Sequence, residues 1–432
     1  GAPVQVFNGG FLDAQNAYFD HAMNGVSCTV CHQIEDNGKL GTLEGFSGKY
    51  SIGTYANPVD RPIFGQYTNP RVAPMQNQVQ YTPMYGAHTE SSELCATCHN
   101  LKTPFVDAAG NVVSTTPESE FPEQMVYSEW KHSVFASTGP EAQSCVGCHM
   151  PEVDGVVIST RPFNLSPRNG FGKHYFVGGN TMMLDILDTH RAELGVTATG
   201  FATTKARTRD VLASAASLQV LSTSRSSSQL TVRLQVDNGS GHKLPTSYPS
   251  RRVWLHVTVK DAAGNVLFES GKLNANGSIV GVDSDASPSL VEPHYELITP
   301  GDQVQVYEGI MGDTDGNLTY TLLRAANYLK DNRLLPRGFD KATAPTDIQV
   351  AGGAANDANF TAGSDTLTYQ VPVSASGQLT VTAELLYQSM AYGFVKDLSS
   401  DAADPYVSQF LGYYDQATLH SERIASVSAT VP

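Results

Sequence analysis

All six cysteines of this chain fall into three copies of one pattern, a Cys-x-x-Cys pair followed at once by His: Cys28-Thr29-Val30-Cys31-His32, Cys95-Ala96-Thr97-Cys98-His99 and Cys145-Val146-Gly147-Cys148-His149. No cysteine is left over, and with 12 His in 432 residues three such coincidences do not arise by chance. Disulfides, a zinc site and a thioredoxin-like pair are the competing readings. None of them requires the following His, and a redox pair does not explain a third copy. Two thiols three positions apart reach the two vinyl groups along one edge of a haem, and the next residue's imidazole lies under the iron. The pattern therefore predicts three covalently attached haems of the c type, held by Cys28, Cys31, Cys95, Cys98, Cys145 and Cys148, with His32, His99 and His149 as proximal ligands. Such attachment takes place outside the cytoplasm, so a periplasmic or extracellular protein is expected. The sequence begins GAPVQVFNGG, without a charged apolar leader, and the expectation is that any export signal has been removed.

The sixth iron ligand decides between transfer and catalysis. A second His gives a low-spin carrier, whereas an open position admits substrate. Nine histidines lie outside the motifs. His21 and His88 each stand seven residues before a motif's first Cys, and His174 lies in Gly172-Lys173-His174-Tyr175-Phe176-Val177-Gly178-Gly179, where glycines let the backbone approach a flat group. His242, in Gly241-His242-Lys243-Leu244-Pro245, opens the second half. These four are the candidate distal ligands. His132 ranks below them, His190 reads as a core histidine on an apolar helix face, and alternation turns His256 away from the neighbouring valines. For His294 and His420 the residue type is the whole argument.

Residues 1–180 hold every motif but few long periodic segments, so the expectation is a haem-packed domain of loops and short helices in which porphyrin faces supply the apolar interior. A helical linker is predicted over 181–216, with helices at 182–194 and 203–216. From 217 to 432 the pattern becomes alternation, at 218–221, 230–236, 253–259, 266–269, 304–307, 367–373 and 379–386. Seven short strands separated by turns predict an all-β sandwich. Asp404-Pro405 then opens a predicted terminal helix. Asp313-Thr314-Asp315-Gly316-Asn317 resembles the first half of a calcium loop, but no Glu stands at the twelfth position. A solvated turn is favoured there, with Ca2+ as the lesser reading.

The net charge of -15 leaves no basic patch for nucleic acid, and no apolar run is long enough to span a bilayer. Other redox proteins or cytochromes are the expected partners. Ser92-Glu93-Leu94-Cys95-Ala96-Thr97-Cys98-His99, Phe121-Pro122-Glu123-Gln124 with Tyr127-Ser128-Glu129-Trp130, and Cys148-His149-Met150-Pro151 resemble the multihaem cytochromes of respiratory bacteria, in a branch related to the cytochrome c-554 and octahaem lineage. GHKLPTSYPSRRVWLHVTV at 241–259 and YLKDNRLLPRGFDK at 328–341 resemble the β-rich part that some of these cytochromes carry after the haem domain. The resemblance implies bis-His haems in a closely spaced chain, which supports His21, His88 and His174. Some related extracellular cytochromes form filaments in which a His of one subunit ligates the next subunit's haem, so self-association through a spare His242 or His420 is a further expectation. Electron transfer leads; a reductase or oxidase of a small nitrogen or sulfur species, and a binding role for the sandwich with the haems as relay, are the alternatives.

Overall fold

The computed structural model describes residues 15–19, 25–374 and 376–432. Among them the chain divides into two compact units. One comprises residues 1–101 and 143–176, the other residues 102–142 and 177–432. The division differs from the expected continuous break at 180: the 102–142 segment leaves the motifs that flank it and joins the second unit.

The first unit is built from short pieces. Its α-helices among the described residues include α1 (Cys28–Cys31), α2 (Val72–Val79), α3 (Ser92–His99) and α4 (Cys145–His149), three of which carry the motifs. Ser91 and Ser144 cap α3 and α4 by accepting the amides of Leu94 and Gly147. Each cap satisfies one amide that a helix start leaves orphaned. Strands β1 (Pro62–Gly65) and β2 (Thr82–Tyr85) pair in parallel. Strands β3 (Glu152–Val153) and β4 (Phe171–Gly172) are the two arms of a hairpin that leaves directly after the third motif. Only five apolar side chains of this unit are buried, namely Val30, Ile34, Phe46, Pro62 and Ala96, among the described residues. Val26, Met84, Tyr85 and Phe176 are instead exposed.

The second unit opens, after the 102–142 segment, with α5 (Thr181–Thr189) and α6 (Phe201–Ala215). These occupy the expected linker, yet α6 packs on the unit's own last strand. Strands β5 (Ala216–Arg225), β6 (Gln229–Asn238), β7 (Arg252–Lys260), β8 (Val266–Ser270), β9 (Val306–Gly312), β10 (Asn327–Asp331), β11 (Ser364–Pro372) and β12 (Leu379–Gln388) follow. Then come α7 (Tyr392–Leu398), α8 (Pro405–Gln416) and β13 (Glu422–Val431). One sheet runs β10-β9-β7-β12-β13 with β8 also on β7; the other runs Leu297–Ile298, β11, β6, β5. Side chains from both sheets share one core: Leu230, Val232, Leu234, Val236, Leu367 and Tyr369 from one, and Val253, Leu255, Val257, Val381, Ala383 and Leu385 from the other. Each fully buried Val or Leu contributes roughly 1.5–3 kcal/mol, so this interior is self-sufficient. The helix signalled by Asp404-Pro405 forms, with Asp404 accepting the amides of Tyr406 and Val407. It does not end the fold, because β13 continues beyond it and pairs with β12.

No helix among the described residues is long and apolar enough to cross a membrane. The Asp313 loop spends its carboxylate on its own backbone, accepting the amides of Asp315 at 2.9 Å and Asn317 at 2.8 Å. Asp107 and Asp261 close the same kind of turn.

Candidate functional site

The three motifs, far apart in sequence, converge in the first unit. The Cys95 and Cys145 thiols are hydrogen-bonded to each other; this contact, followed by burial, drives Cys95 well above the ordinary thiol range, and the same contact lowers Cys145 to about 7 against the opposing effect of burial. Cys31 is raised by burial and then by the nearness of Cys98 and Cys28. The Cys145 amide also donates to the Ser92 hydroxyl at 3.1 Å, tying α4 to the start of α3. Cys28, Cys31, Cys98 and Cys148 are exposed, Cys95 and Cys145 half-buried.

His32 is held at both its backbone and its ring by one residue of β1. The Phe64 amide donates to the His32 carbonyl at 2.7 Å, and His32 Nδ1–H donates to the Phe64 carbonyl at 2.6 Å. A backbone carbonyl on Nδ1 fixes the tautomer and leaves Nε2 as the ring's lone-pair nitrogen. His174 is set the same way, with Nδ1–H donating to the Gly172 carbonyl at 3.0 Å. The two rings lie 6.0 Å apart, centroid to centroid, at an interplanar angle of 30°. Two imidazoles that bind one metal at about 2 Å each stand roughly 6 Å apart by centroid. Phe171 and Phe176 flank His174, with ring centroids 6.3 and 5.5 Å away.

This unit fits covalent haem on three counts. Its thiol pairs lie on short helices with four of the six cysteines exposed, the imidazoles of His32 and His174 stand at a separation that one metal could bridge, and its apolar side chains are spread over the surface rather than gathered inside. Cys28, Cys31, Cys95, Cys98, Cys145 and Cys148 would hold the porphyrins, with His32, His99 and His149 beneath the irons.

The other candidates are placed differently. His88 is buried, its Nε2–H donates to the Ile34 carbonyl at 2.9 Å, and its ring packs edge-on against Phe64. His242 belongs to the second unit, where its Nδ1 lies 2.9 Å from the Lys243 carbonyl. His21 lies outside the described residues. His132, also in the second unit, bonds the Ser128 carbonyl, and His190 stacks on Tyr413 at 4.1 Å. His256 bridges Glu269 and Glu384.

Two clusters of the second unit carried no sequence signal. His294, Asp357 and Asp365 bring ligand-type atoms within 4.8 Å of one another. Both ring nitrogens of His294 are nevertheless spent on protein partners: Gln305 and Asn332 donate to Nδ1 at 2.8 and 3.0 Å, and Nε2 meets Asp357 at 3.1 Å. Burial holds His294 down at about 4, against the pull of Asp357. The second cluster is ionic. Lys243, fully buried, pairs with Asp331 at 2.7 Å, and Arg333 joins Asp331 to Glu129 at 2.7 and 2.9 Å. Burial pushes Asp331 upward, but Arg333 and Lys243 together outweigh it and hold the carboxyl at about 2. Glu129 also accepts the Thr246 hydroxyl at 2.6 Å. The segments around Trp130, Lys243 and Asn332 thus meet in one buried network, which accounts for the 102–142 segment joining this unit.

No protein-family model matches the chain, and no curated protein is similar to it in sequence. Among solved structures, a penta-heme cytochrome c552 from Thermochromatium tepidum has the same overall fold, with a TM-score of 0.52 at 16% identity over 97% of this chain and 79% of that one. The chain therefore has a fold of the multihaem c-type cytochrome kind.

Proposed function

We propose that this protein transfers electrons through three covalently attached haems, outside the cytoplasm, between other redox proteins. The observation that carries the reading is the convergence of all three Cys-x-x-Cys-His motifs in one small unit, with the Cys95 and Cys145 thiols in contact and Cys31 near Cys98. Haem supplies a one-electron iron couple; the chain supplies its attachment and axial ligands. His32 and His174 would hold the iron at the first motif between them: their rings stand 6.0 Å apart, and a backbone carbonyl engages Nδ1 of each, leaving Nε2 for the metal. A site closed in this way excludes substrate from the metal and favours transfer over catalysis. Periplasmic or extracellular residence follows from the attachment chemistry, and the net charge of -15 suits docking on basic partners.

The test is spectroscopic. The holoprotein is expected to contain three haems, low-spin by absorption and EPR, that reduce reversibly without binding nitrite or carbon monoxide. His174→Ala is expected to turn one of the three high-spin and open it to carbon monoxide. A wild-type protein with a high-spin haem that turns over nitrite would overturn the carrier reading.

A further inference from the structure

The arm that carries His174 is not held by its own hairpin alone. The hairpin starts at the third motif: Lys173 donates to the Pro151 carbonyl at 3.1 Å and Phe176 to the His149 carbonyl at 3.3 Å. Farther out, Val156 and Arg168 exchange both backbone hydrogen bonds, at 2.9 and 2.8 Å, and Asp154 accepts the Gly170 amide at 2.8 Å. Gly170 sits at φ +65°, a conformation other residues adopt rarely, which lets the returning arm bend there. The loop around the first motif's clamp then reaches across to this arm. Gln66 Nε2 donates to the Gly170 carbonyl, and Tyr67 OH to the Asn169 carbonyl at 3.3 Å. Arg168 returns the contact by donating from one nitrogen to Asn69 Oδ1 and from the other to the Asn69 carbonyl at 2.9 Å, with its guanidinium 5.0 Å from the Tyr67 ring centroid.

We propose that Gln66, Tyr67, Asn69 and Arg168 are positioning residues that latch His174 opposite His32, so that both axial ligands of the first iron are referenced to the single segment 64–69. Phe64 fixes the proximal ring through its carbonyl, and the next five residues fix the distal arm. The proposal rests on the assignment of His174 to the iron of the first motif. None of the four residues reaches either imidazole. They act by holding the backbone that carries it, as outer-shell partners of metal-ligating histidines do.

The experiment uses the holoprotein, with haem content measured to establish that three haems are attached in every variant. Gln66→Ala/Arg168→Ala is expected to weaken the hold of His174 on iron by roughly 10–100-fold, as outer-shell losses do. This is read as a rise of the same size in carbon monoxide affinity at one haem, with a high-spin EPR signal that added imidazole abolishes. Asn69→Ala removes only the side-chain acceptor for Arg168, leaving the Asn69 carbonyl, and serves where the double variant does not accumulate. It is expected to move carbon monoxide affinity in the same direction by a smaller factor. If these variants keep wild-type spin state and carbon monoxide behaviour while His174→Ala opens one haem, the latch is refuted and the ligand assignment stands. If His174→Ala itself leaves three low-spin haems, the assignment beneath the latch fails, and the latch with it.

Discussion

Between Leu230 and Val236 of the second unit every second side chain is fully buried, whereas the first unit buries five apolar side chains among all its described residues. The second unit closes two sheets over a common core and adds a buried ionic network. The first has thiols, imidazoles and surface-facing aromatic rings where such a core would be. A domain of this size without an apolar interior does not offset the entropy of ordering its chain. Under the proposed function the haems would supply the first unit's missing interior, whereas the second unit carries its stability in its own side chains.

The largest test of this contrast replaces all six motif cysteines by Ala. Hydrogen exchange is expected to show the first unit's amides losing protection throughout while β6, β7, β11 and β12 keep theirs; equal loss in both units would erase the distinction. Next in size is the ionic network. Asp331→Ala leaves Lys243 and Arg333 buried without their shared carboxylate, and removing one partner of a buried pair costs about 3–5 kcal/mol. The loss should appear in the thermal unfolding of the second unit, with the haem spectrum unchanged. The smallest effect is a pH dependence. Burial raises Glu292 to about 7, even though it accepts the amides of Asp283 and Val304 at 2.7 and 3.2 Å. The folded form keeps a proton that the unfolded chain releases near pH 4.3, so this group's stabilisation is full below that pH and is lost as pH rises through 7. Glu292→Gln should remove a slope of at most about 1.4 kcal/mol per pH unit from the second unit's stability.

How much of this was legible in the sequence depended on how local the signal was. The motifs were readable because their chemistry is confined to five residues. Strands β6 and β11 are readable because Leu, Val and Tyr alternate cleanly with polar residues along them, and β7 and β12 because alternation runs through most of each despite the apolar runs at 253–255 and 385–387. The last strand, ERIASVSATV, escaped notice because several of its positions carry Ala and Ser, which give alternation little contrast. The affiliation of the 102–142 segment was hidden for a different reason: Glu129 finds its partners at Lys243, Thr246 and Arg333, and nothing within the segment announces them. His174 is marked by its glycine-rich setting, but its nearness to His32 depends on a hairpin and on cross-bracing from residues 66–69, none of which leaves a periodic trace.

That hairpin also imposes an order of events. The ring opposite His32 comes from beyond both other motifs, so under the proposed ligation the first site would close only once the hairpin has folded back on residues 66–69. A chain cut short before residue 174 would leave His32 without the ring that the longer chain brings to it.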